Sequence, residues 1–178
     1  IYSQVGVVLW FSGATIGLFA AFILYLHDKE TAFMVASVAF IGLMLGTDDL
    51  ILVHERIAPQ FFHVGEHYVF LVYVVLIGIV IRLFGRQIWK YDKFFLLIAC
   101  VFLIGSVGVD YVEEAFDAKY GPALQGLLED SFKLLGIAAY WTGLFKISSK
   151  AVLKVLALKQ LWTYGSVSPS QKHALIEI

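Results

Sequence analysis

Charge-free and charge-bearing stretches alternate along this chain at a spacing that fits membrane helices. The first apolar run, Val5 to Leu26, contains no charged residue. A second begins near Ala32, passes Asp48 and Asp49, and continues through LILVHERI until Pro59. A third covers about Tyr68 to Ile81, and a fourth Phe94 to Val109 with a polar extension to Asp117. A fifth runs from near Leu127 to near Lys146, after a turn at Gly121-Pro122. Each approaches the roughly 20 apolar residues that cross a bilayer. The pattern predicts an all-α, polytopic membrane protein with five transmembrane helices.

Composition agrees with the pattern. Of 178 residues, 60% are hydrophobic and only 15% charged, and the mean hydropathy is +0.83, outside the balance of a soluble domain. The net charge of −1 and the absence of a basic tail exclude a nucleic-acid partner and leave the lipid bilayer as the first one. The single cysteine, Cys100, lies inside FFLLIACVFLIG and reads as a packing residue.

Lysine and arginine then set an orientation. Arg82, Arg86, Lys90 and Lys93 fill the connection between the third and fourth spans, and Lys146, Lys150, Lys154, Lys159 and Lys172 follow the fifth. The opposite side has Arg56, Lys119 and Lys133. The positive-inside rule places the N-terminus outside and the C-terminus in the cytoplasm of a plasma or inner membrane. Residues 1–147 form the transmembrane domain, and 148–178 a cytoplasmic tail in which SSKAVLKVLALKQLW has the character of an interfacial helix.

That orientation collects the ionisable groups at one end. Gly46 to Tyr68 holds Asp48, Asp49, Glu55 and Glu66 with His54, His63 and His67, and Asp110, Glu113, Glu114, Asp117, Glu129 and Asp130 fall on the same side. The apolar runs of the second to fifth helices are shorter than a full span, so some of these groups enter the hydrocarbon. A charge facing lipid there costs at least about 2.5 kcal/mol, so the groups should turn inward and be compensated together. Asp110, Glu113, Glu114 and Asp117 make one helical stripe, Asp48 and Glu55 share a face seven residues apart, and Glu129 precedes Lys133 by four.

Mixed carboxylate and imidazole groups on several helices suit a divalent metal such as zinc, iron or manganese. The expected ligands are Asp48, Glu55, His63, His67, Asp110, Glu113, Glu114 and Glu129, with Lys133 as an internal counter-ion. HVGEH also fits the inverted zinc-protease order, which makes Glu66 the candidate general base. The i, i+3 Glu-His spacing of di-metal bundles is absent. Haem held by His54 and His67 is an alternative cofactor. Two other functions compete with metal binding: a non-catalytic accessory subunit bound to other membrane chains, and a proton- or cation-binding half-channel. Two G-x-x-x-G segments, Gly13 to Gly17 and Gly42 to Gly46, predict close helix approach within the bundle in preference to a dimer face.

Overall fold

The computed structural model describes residues 2–63, 65–112 and 122–164, and every regular element in that part is helical. In chain order these are α1 (Tyr2–Tyr25), α2 (Lys29–Ile51), a π-helical turn (Val53–Ile57), α3 (Ala58–Phe62), α4 (Glu66–Tyr91), α5 (Phe94–Tyr111) and α6 (Pro122–Tyr164). Among the described residues, four stretches are long and apolar enough to cross a membrane: Gln4–Tyr25, Lys29–Ile51, His67–Tyr91 and Phe94–Tyr111. Their outer faces carry bare hydrophobic side chains, among them Phe19, Phe22, Val74 and Ile104. In water so much contiguous apolar surface would be a liability. In lipid it is the solvent-facing side.

Local chemistry sets the first turn. Asp28 caps α2, taking the Thr31 backbone N–H at 3.1 Å and the Thr31 hydroxyl at 2.6 Å, which satisfies donors that the helix start leaves open. α1 and α2 therefore run antiparallel through a short connection. They approach closely because glycine lines the contact. A Cβ on Gly17 would lie 2.7 Å from Ala39 Cβ, and one on Gly46 would lie 2.6 Å from Trp10 Cβ. Gly42 gives its space to the Tyr140 ring of α6, and Gly13 to Trp141. Both G-x-x-x-G segments are spent inside the molecule.

The sixth helix holds the centre. α6 packs principally on α1 and α5, and its Ile137, Tyr140, Leu144, Ile147 and Ala151 are buried in the common core with Trp10, Leu24, Met34 and Val35. The Tyr140 hydroxyl donates to Val38 O at 2.6 Å, and the Tyr140 ring meets that of Trp10 at 4.8 Å. α6 carries Glu129, Asp130, Lys133, Lys146 and Lys150, and it is not among the four stretches long and apolar enough to cross. It also runs without interruption past residue 147 to Tyr164. Its 43 residues make a rod of about 65 Å.

Two expectations about local structure change. The second helix does not continue to Pro59. It ends at Ile51, Leu52 takes the left-handed conformation (φ 54°), and a π-helical turn follows, with Pro59 near the start of α3. His63 is also left-handed (φ 53°) and lies outside α4, which begins at Glu66. His63 and His67 therefore share no helical face, and neither do Asp48 and Glu55.

Candidate functional site

At one end of the bundle, adjacent acids of α2 make two different pairs. Asp48 is 4% exposed. The left-handed residue four positions later ends the regular helix, and His54 in the π-helical turn that follows bonds to the carboxylate. Asp48 Oδ1 accepts the His54 backbone N–H at 3.0 Å, and Asp48 Oδ2 lies 2.6 Å from His54 Nδ1. His54 is itself 9% exposed, and its ring rests against Phe70 of α4 at 4.9 Å between centroids. Tyr73 of α4 lies beside the same carboxylate. A buried acid of this kind is tolerated because hydrogen bonds replace its water.

Asp49 faces the other way. Its Oδ1 is 2.7 Å from Lys133 Nζ of α6, and its Oδ2 accepts the Trp10 indole N–H of α1 at 2.8 Å. The Asp49 side chain is 10% exposed and that of Lys133 35%. One dipeptide thus ties α2 to α1 and α6 through Asp49, and to the π-helical turn and α4 through Asp48. Beside it, Ser106 of α5 is buried and donates to Glu129 O of α6 at 3.3 Å.

A double-mutant cycle measures the Asp49–Lys133 contact. Asp49→Asn and Lys133→Met are each expected to destabilise, and the double variant to lose less than their sum. The coupling energy, read from denaturation midpoints in micelles, should fall at about 1–3 kcal/mol, as for paired groups in direct contact. Additive losses would show the pair to be energetically idle.

The other expected site residues are placed as follows. His63, His67 and Asp110 are exposed and do not join Asp48. Glu129 is half-buried. The side chains of Glu55 and Glu66 lie outside the described part of the structure, as do Glu113, Glu114 and Asp117 entirely. Among the described residues, no three His, Cys, Asp or Glu side chains are grouped as a metal site would need. Asp48 and His54 are the described pair of donor groups in direct contact.

Trp10 escaped the sequence reading because it sits in the charge-free first helix. Its one signal is general: a buried indole N–H usually finds an acceptor. His54 has its role through the break at Leu52, and no spacing rule reveals that break.

The opposite end of the bundle is basic and equally well fixed. Lys150 Nζ donates to Tyr91 O at 2.9 Å, a cation on the last turn of α4. Lys146 lies 3.5 Å from Asp92 and over the Phe95 ring. The last turns of α4, which carry Arg82, Arg86 and Lys90 on the helix and not in a connection, therefore share one side with Lys93, Lys146 and Lys150.

Comparison with known proteins gives one positive result. The family model described as a domain of unknown function, DUF8692, matches residues 1–147. No curated protein and no solved structure matches the chain.

Proposed function

We propose, for a chain that belongs to the DUF8692 family, a membrane-embedded proton-binding site centred on Asp48 and His54 and open to one side of the membrane. In this reading the four apolar helices and the middle of α6 make five crossings. The basic end, with Arg82, Arg86, Lys90, Lys93, Lys146 and Lys150, faces the cytoplasm of a plasma or inner membrane, and the acidic end faces outward. The observation that carries the proposal is the 2.6 Å contact between Asp48 and His54, two groups 4% and 9% exposed.

The chemistry follows from charge. With a proton on both ring nitrogens of His54 the pair is a carboxylate and an imidazolium, of net charge zero. Loss of one proton leaves a carboxylate and a neutral imidazole, with net charge −1. The backbone N–H of His54 holds the carboxylate in both states. Asp49 is neutralised by Lys133 nearby, so it is Asp48 that faces His54 as an acid. Toward the basic end the space between the helices is apolar from Leu45 to Leu97. That barrier supports a half-channel over a full conduit.

The test is histidine side-chain NMR on 15N-labelled full-length protein in nanodiscs. His54 is expected to titrate apart from exposed His63 and His67, with its Nδ1 in a strong hydrogen bond, and Asp48→Asn is expected to move its titration. A His54 signal that follows the exposed histidines and ignores Asp48→Asn removes the reading.

A second reading, a divalent metal ion, has one observation in its favour. A carboxylate that fixes an imidazole through Nδ1 is how proteins orient histidine ligands. His54 would hold the ion through its other ring nitrogen, and the ion would supply Lewis acidity. Metal analysis separates the two: stoichiometric zinc, iron or manganese that disappears in His54→Ala favours the ion, and metal-free protein with intact His54 titration favours the proton.

A further inference from the structure

Between α2, α4 and α5, away from the ionisable corner, lies a cleft with a cavity volume of about 190 Å³. This exceeds the engineered apolar cavities of about 150 Å³ that stay dry and accept benzene. Ile77, Ile81 and Ile88 of α4 form one wall, and Leu97, Cys100 and Leu103 of α5 the other. Trp10 and Tyr140 close the inner end, but their polar atoms are turned away to Asp49 and Val38 O. The other end is marked by Trp89 and Lys93, with Lys93 Nζ 5.0 Å from the centroid of the Trp89 ring.

We infer that this cleft binds one acyl chain of an anionic phospholipid, with the headgroup phosphate against Lys93. Three observations select that occupant. From Ile77 to Trp89 the α4 wall rises about 18 Å, close to one leaflet's share of a hydrocarbon core of about 30 Å. The depth of the cleft has no polar atom to receive the hydroxyl or carbonyl of a sterol or quinone, whereas a methylene chain needs none. The one charged lining residue, Lys93, stands at the mouth, and exposed Arg86 and Lys90 lie close by in sequence. The neighbouring carboxylate, Asp92, is already engaged by Lys146 and by the Phe94 and Phe95 backbone N–H groups, so it does not cancel Lys93. Arginine and lysine at the membrane surface attract anionic lipid, and the cleft adds a place for its chain.

The occupant also touches the far site. Its terminal methyl would meet the ring of Trp10, whose indole N–H holds Asp49. The proposal does not depend on whether Asp48 and His54 bind a proton.

Native mass spectrometry of the full-length protein released from bilayers of equal phosphatidylglycerol and phosphatidylcholine tests it. The expected spectrum shows a monomer retaining one phosphatidylglycerol, favoured over phosphatidylcholine about tenfold. Lys93→Gln should reduce that preference about threefold or more. Gly85→Phe, at a position where a Cβ meets only Ile81 at 3.5 Å, should fill the cleft and remove the retained lipid. Cys100→Trp does the same from the opposite wall and serves if the first variant does not fold. Retention of both headgroups equally, retention unchanged in the cleft-filling variants, no retained lipid, a neutral isoprenoid in its place, or a dimer as the main species would each overturn the inference.

Discussion

Asp48→Ala will lower the stability of the folded protein by about 3–5 kcal/mol, the cost typical of removing one partner from a buried pair. The loss has two physical parts. The His54 imidazole would remain 9% exposed with its carboxylate gone, and the His54 backbone N–H, now bonded to Oδ1, would lose its acceptor. Each unsatisfied group adds a desolvation penalty of about 1–3 kcal/mol. Asp48→Asn keeps an oxygen for the backbone N–H and a side chain of the same shape, so it should cost less than half as much. The measurement is the unfolding midpoint in mixed micelles for both variants. An alanine variant within about 1 kcal/mol of the parent would show that the break at Leu52 is held by other contacts.

Gly46→Val is expected to be nearly as damaging, for a steric reason. The first added atom would stand 2.6 Å from Trp10 Cβ and 3.2 Å from Trp10 Cγ. Trp10 Cβ is fixed to the α1 backbone, so relief requires the two helices to separate. Overpacking of this kind costs about 1–3 kcal/mol, and the shift also withdraws the Trp10 N–H from Asp49, a charge-assisted bond of about 1.5–3 kcal/mol. A total of about 3 kcal/mol or more should appear as a lowered midpoint, together with a change in Trp10 fluorescence. Gly126→Ala is the control, because nothing lies within 4 Å of a Cβ there. Equal effects at the two positions would show that close approach of α1 and α2 is not what Gly46 provides.

The helical membrane architecture was legible in the sequence because it rests on long-range averages: run length, absence of charge, and glycine spacing. All four apolar runs are helices, but the second stops at Ile51, short of Pro59, and the third continues past Ile81 through its basic residues to Tyr91. α6 was harder. A helix that buries one face in the bundle need not be apolar all round, so Glu129, Lys133 and Lys146 mark it as polar while Ile137, Leu144 and Ile147 are buried. The polar corner was legible as a region but not as a set of contacts. Helical arithmetic pairs Asp48 with Glu55 only while the helix continues, and one left-handed residue, Leu52, cancels it. Leucine is a poor signal for that conformation, which glycine usually supplies. Likewise His63 and His67 look like a helical pair, but His63 is left-handed and precedes α4, which begins at Glu66.

α6 has a mechanical implication as well. Lys133 and Lys150, which grip Asp49 at one end of the bundle and the last turn of α4 at the other, stand on one unbroken cylinder about 25 Å apart. Because one helix carries both grips, an axial slide or a twist of α6 acts on the two of them together. The protein carries a pushrod through its own middle.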